Sequence, residues 1–137
     1  MPLLRYVTHP NVSVDPATPI EQWGLDTFGV ARAVAMLDQP WVPGVARIVS
    51  SDETKAIETA RILADHVGLQ VEVRGGIGEN DRSSTGFLPP EEFERTADRF
   101  FASPQASVRG IEQVVESVHD ARLRVDGPFP AAHRRLR

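Results

Sequence analysis

Residues 45–68 read VARIVSSDETKAIETARILADHVG, and their reading decides the fold. The first six, VARIVS, form a continuous β-favouring run of the kind that is buried on both faces of a parallel sheet. Ser51 or Asp52 then stands where a helix N-cap belongs. Ala56, Ile57, Ala60, Leu63, Ala64 and Val67 follow at helical spacing, and Gly68 sits at the C′ position, where a left-handed residue closes a helix. Residues 69–73 (LQVEV) alternate cleanly as a further strand. A strand, a helix and a strand in this order predict a βαβ unit in a parallel sheet.

Working outward, the pattern extends on both sides. Upstream, residues 3–8 (LLRYVT) read as a short first strand stopped by Pro10. Residues 10–24 carry three prolines and form an irregular loop. Asp26 caps a helix with Val30, Ala33, Val34 and Leu37 on one face, slightly weakened by Gly29 and ended by Pro40 and Pro43. Downstream, a Gly-rich polar stretch precedes Pro89-Pro90 and a helix over residues 91–102, with Phe93, Ala97, Phe100 and Phe101 on its apolar face. Ile111, Val114, Val115 and Val118 predict a last helix. The expected fold class is α/β, a three-layer α/β/α arrangement around a mostly parallel central sheet.

The whole chain has 137 residues, 41% of them apolar and none of them cysteine. That length suits one domain with a real core, and the absence of cysteine excludes disulfide scaffolds, thiolate zinc sites and cysteine nucleophiles. No long apolar run opens the chain, so neither a signal peptide nor a membrane partner is expected, and the expected location is the cytoplasm. A net charge of −4 argues against nucleic-acid binding. The charge is unevenly placed: residues 1–120 carry −8 and residues 121–137 carry +4. The expected division is therefore a domain over residues 1–120 and an atypical Arg/Pro-rich tail over 121–137, poorly ordered.

In an open α/β sheet, ligands bind at the carboxyl ends of the strands. Three segments fall there: Thr8-His9, the SSDETK turn, and the loop carrying Glu79, Asp81 and Arg82. A neutral imidazole is a competent phosphoryl acceptor, and Lys55, the chain's single lysine, lies one turn into a helix whose free N–H groups favour anions. A glutamate with a raised pKa could protonate a leaving oxygen. Each residue also has a bland reading: a loop histidine, a solvated lysine, a surface carboxylate. His66, His119 and His133 read as structural. No metal-ligand spacing and no Gly-rich nucleotide loop is present, so no metal and no other cofactor is implied.

These three segments together resemble the histidine phosphatase superfamily, the phosphoglycerate-mutase-like phosphatases. That family opens with a strand ending Arg-His-Gly, matched here by Thr8-His9-Pro10. Its Leu-[ST]-x-x-Gly motif is met by Leu25-Asp26-Thr27-Phe28-Gly29. Its Ser-Ser-x-x-x-Arg-Ala-x-x-Thr-Ala block fits from Ser50 to Ala60, with Lys55 in place of the arginine. Gly78-Glu79-Asn80 occupies the place of its acid loop. The stretch from Phe93 to Phe101 and Gly110-Ile111-Glu112 also agree.

The resemblance implies that His9 attacks phosphorus, that Glu79 protonates the leaving group, and that Lys55, Arg82 and Thr8 line the phosphate. The implied partner is a phosphorylated small molecule or a phosphoprotein. The departures are specific. Thr8 and Lys55 replace two arginines, so the bidentate forks are absent, and Pro10 removes an N–H. The family's second histidine, on a Val-Val-x-His-Gly-Gly strand, has no counterpart, so a C-terminally incomplete domain is expected. Weak phosphatase activity through phospho-His9 is the leading expectation. A non-catalytic phospholigand-binding relative and an inactive truncated product are the alternatives.

Overall fold

A computed structural model describes residues 3–78, 86–102, 109–110 and 113–114. The chain divides into two compact units, Met1–Gly78 and Glu79–Arg137. The expected boundary at residue 120 lies outside the described residues.

The first unit is built on the βαβ segment. Strand β1 (Ile48–Ser50) and strand β2 (Val71–Val73) pair in parallel, with Ile48 opposite Val71 and Ser50 opposite Val73. Helix α2 (Thr54–Val67) makes the crossover between them. Gly68 closes it at φ 73°, and its N–H donates to the Ala64 carbonyl, as the αL cap requires. At the other end the helix starts later than the sequence predicts: Glu53 is the N-cap, and its side chain makes no capping bond. Both strands are also shorter than expected at their N-terminal ends. Arg47, just before β1, makes a two-pronged bond to Glu72 at 2.6 and 2.7 Å, and Arg74 adds a third contact at 3.2 Å. Chiefly through the Arg47 hydrogen bonds, and with help from Arg74, the Glu72 carboxyl is held down at about 2.

Helix α1 (Thr27–Met36) begins at Asp26, whose carboxylate accepts from the Gly29 N–H at 2.6 Å. Its buried face differs from the expected one. Gly29 and Ala33 are buried, while Val30 and Val34 are exposed. A tight turn over Val42–Gly44 then leads to β1. The core collects here: Val42, Ile48, Leu63 and Ala64 are buried, with Met36, Leu37, Trp41, Val45, Ala60, Val67, Leu69 and Val71 packed around them. It is thus the second half of α2 that meets both strands and the end of α1.

The first strand expected over residues 3–8 does not form a ladder. Leu3, Leu4 and Tyr6 remain between 75 and 80% exposed. A run of apolar and β-forming residues supplies a strand's side chains but not its hydrogen-bond partner, and residues 3–8 have no ladder partner among the described residues. The segment is tied instead by Arg5, whose guanidinium lies 5.3 Å from the centre of the Trp41 ring.

In the second unit, helix α3 (Pro90–Ala102) covers the expected span, with proline at the first helical position and acidic residues in the first turn, but of its expected apolar face Phe93 and Phe101 are exposed. Phe100 is buried and meets Phe101 edge-to-face at 5.2 Å. The helix expected from Ile111 is not found where the chain is described. Strands β3 (Arg109–Gly110) and β4 (Gln113–Val114) pair antiparallel instead. Every apolar residue of the expected stripe is β-branched, which favours extended backbone over helix.

Candidate functional site

At the carboxyl end of β1 the chain buries polar rather than apolar groups. Ser50, Ser51, Lys55 and Thr59 are all buried. The Ser50 hydroxyl donates to the Ser51 carbonyl at 2.8 Å, and the Thr59 hydroxyl donates to the Lys55 carbonyl at 2.7 Å. Lys55 is only 2% exposed, and its ammonium lies 3.9 Å from the Glu53 carboxylate. Burying an ammonium is costly unless charge or hydrogen bonds compensate it, so such a residue marks a place built for something other than packing.

The loop after β2 reaches the same corner. A Cβ at Gly75 would meet the Asp52 carboxylate, and one at Gly78 would meet that of Glu53, each at 3.4 Å. Gly78 directly precedes Glu79. Glu79 and Arg82 themselves lie outside the described residues, as do His119 and His133.

His9 reaches its place from the N-terminal segment. Its Nδ1 lies 2.7 Å from the Pro10 carbonyl oxygen. A carbonyl only accepts, so Nδ1 carries the proton, and in the neutral ring Nε2 holds the lone pair. The residues after His9 are fixed by backbone contacts. The Asn11 carbonyl accepts from the Asp26 N–H at 3.2 Å, and Ser13 N–H donates to the Gly24 carbonyl at 2.9 Å. The Asn11 backbone also lies directly on Gly29, leaving no room for a Cβ there. Asn11 Oδ1 accepts from Arg32 Nη1 at 2.9 Å.

An open hollow of about 420 Å³ results. Val7, Thr8, His9, Pro10 and Asn11 form one side, Arg32, Ala33 and Met36 of α1 another, and Thr59 of α2 its end. The structure thus brings Thr8 and His9 into one hollow. Lys55 is not in its wall; it lies one helical turn before Thr59, which is.

Three residues of this arrangement were not singled out by the sequence reading. Asn11 and Arg32 enter through the hollow, and Glu58 through a long-range bond. The Leu25 N–H donates to Glu58 Oε2 at 2.6 Å, which clamps the turn before α1 onto α2. The proline-rich loop between is itself ordered around Trp23, whose indole N–H lies 3.0 Å from the carbonyls of both Asp15 and Thr18. Arg32 stands three residues after Gly29 and beside Ala33, but it is itself exposed, and no local pattern in the sequence marks it. Among the described residues no cluster of histidine and carboxylate side chains could hold a metal ion, and no helix is long and apolar enough to cross a membrane.

Comparison with known proteins bears on this arrangement. Residues 23–136 match the model of the histidine phosphatase superfamily (branch 1). The matched span starts at Trp23, so His9 enters the site on geometry and motif rather than on that match. No curated protein sequence matches the chain. Among solved structures, mycobacterial glucosyl-3-phosphoglycerate phosphatase is similar at 22% identity and a TM-score of 0.63, over 85% of this chain and 56% of that one. Its complex with inorganic phosphate gives 23% identity and a TM-score of 0.63, over 85% and 56% of the two chains. A mycobacterial hydrolase is similar at 23% identity and a TM-score of 0.64, over 86% of this chain and 52% of that one. The chain therefore spans about half the length of the structures it resembles, and at these identities the likeness establishes the fold. With the family match covering most of its residues, the chain belongs to the histidine phosphatase superfamily, branch 1.

Proposed function

We propose that this chain carries the nucleophile half of a phosphatase site acting on phosphomonoesters, with His9 as the phosphoryl acceptor. The observation that carries the reading is the His9 Nδ1 bond to the Pro10 carbonyl at 2.7 Å, which leaves the lone pair on Nε2 of a residue that lines the hollow. In the first step Nε2 forms a bond to phosphorus as the ester P–O bond breaks. The departing oxygen takes a proton from the Glu79 carboxyl, the role the family motif assigns to that position. In the second step water attacks phosphorus, the P–N bond breaks, Glu79 recovers a proton from the water, and inorganic phosphate leaves. Lys55, buried at the head of α2 outside the hollow's wall, supplies positive charge at longer range, and Thr8 a hydroxyl. The substrate class is a phosphorylated small molecule or a phosphoprotein.

Turnover is expected to be weak. Thr8 and Lys55 stand where the family has arginines, and losing a group that stabilises developing charge costs about 10²–10³ in rate. The same replacements favour a second reading, a phospholigand-binding relative that does not turn over. One experiment separates them. Incubation with a labelled aryl phosphate should leave acid-labile, alkali-stable phosphate on the protein, lost in His9→Ala. Equal labelling of parent and variant rejects His9 as acceptor. Absent labelling, with phosphate still raising the melting temperature, selects the binding reading.

A further inference from the structure

The hollow at His9 contains a cation that neither the motif block nor the buried lysine accounts for. Arg32 is the one lysine or arginine among the described residues of its wall. It is solvent-exposed, so its charge is not consumed by the core. It is also aimed. Nη1 donates to Asn11 Oδ1 at 2.9 Å, and Asn11 is itself held by the Asp26 N–H and by its seat on Gly29. A guanidinium carries five N–H donors in a planar fork. Holding one nitrogen on the side-chain oxygen of a residue with an anchored backbone restricts the arginine while leaving donors for a tetrahedral anion, so less freedom is lost when the anion binds. Lys55, by contrast, is absent from the wall and lies beside Glu53.

We propose that Arg32 is the phosphoryl-binding guanidinium of this site, contacting the substrate's phosphate oxygens beside His9. The inference rests on the reading of His9 as phosphoryl acceptor. It accounts for how a chain with threonine at position 8 and lysine at position 55 presents a fork to phosphate at all.

The test uses the full chain, an aryl phosphate as substrate and inorganic phosphate as competitor. Arg32→Gln retains an amide able to donate to Asn11 but removes the charge. It should raise KM and the phosphate inhibition constant together by about ten- to a hundredfold, the range of a lost charge-assisted hydrogen bond. Arg32→Lys should recover part of this, since it restores charge without the fork. Asn11→Ala, which removes the tether alone, should cost less than Arg32→Gln.

Unchanged constants in Arg32→Gln, with turnover that still requires His9, overturn the proposal. So does an Asn11→Ala loss equal to that of Arg32→Gln, because Arg32 is then only the tether's partner. If the parent shows no turnover dependent on His9, the acceptor assignment has failed separately. Calorimetric titration with inorganic phosphate then decides on Arg32: tenfold weaker binding in Arg32→Gln supports it, and equal or absent binding in the parent and variant overturns it.

Discussion

Gly29 shows how a single residue ties the helix to the site. Glycine inside a helix costs about 0.5–1 kcal/mol relative to alanine, so propensity alone makes Gly29→Ala a stabilising change. The Asn11 backbone reverses the sign, because a Cβ at Gly29 would overlap its carbonyl oxygen and come within 3.0 Å of its carbonyl carbon. Gly29→Ala is expected to lose at least about 1 kcal/mol in urea denaturation, in line with forced repacking. Gly44→Ala is the control, since nothing lies within 4 Å of that position. A Gly29→Ala protein more stable than the parent would show that the Asn11 contact is not maintained. From sequence, Gly29 reads as a weak point in a helix and as a motif glycine, and neither reading shows what it accommodates, because that atom belongs to a residue eighteen positions away. Asn11, Arg32 and Glu58 were illegible for the same reason. A unique lysine in the first turn of a helix is a local pattern that marks Lys55, but its burial was not legible, since that depends on what packs over it.

At the scale of elements, the βαβ segment is where local signals and tertiary partners agree. The α2 stripe, the Gly68 cap and the paired strands all follow from residues 45–73, where each short apolar run has a neighbour to pack on. The failures have the opposite cause. Residues 3–8 carry a strand's side chains without a ladder partner among the described residues, and the valines and isoleucine after Gly110 have helical spacing but β-branched stiffness, which no periodicity count weighs. The β1–β2 pair also carries a charge device open to measurement. The Glu72 carboxyl, bonded first by Arg47 and then by Arg74, titrates at about 2 against an ordinary 4.5. A depressed folded value means that its contribution is present above pH 4.5 and is lost as the pH falls through about 2. Glu72→Gln should therefore melt slightly below the parent at pH 7, with the gap closing between pH 4.5 and pH 2. The effect is small because the pair is half-exposed and screened by salt. A gap that persists unchanged at pH 2 assigns the difference to packing rather than to charge.

For the molecule as a whole, charge and exposed apolar surface act together. The sequence carries −4 at pH 7 and reaches zero net charge near pH 5.5. Leu3, Leu4, Tyr6 and Phe28 stand largely exposed, so self-association is opposed mainly by net repulsion. Light scattering of the full chain should be greatest near pH 5.5 and fall by pH 7.5; a maximum away from neutrality of charge would locate the cause in a specific contact instead. Fold class and family were legible because they rest on motifs spread along the chain. The course of the N-terminal arm was not, since it depends on which side chains the arm meets. One of those meetings has an optical consequence. Of the two indoles, Trp23 is fixed between the carbonyls of Asp15 and Thr18, whereas Trp41 lies against the Arg5 guanidinium, four residues before His9. Emission from Trp41 thus reports, without any label, whether the arm that carries His9 is docked or detached.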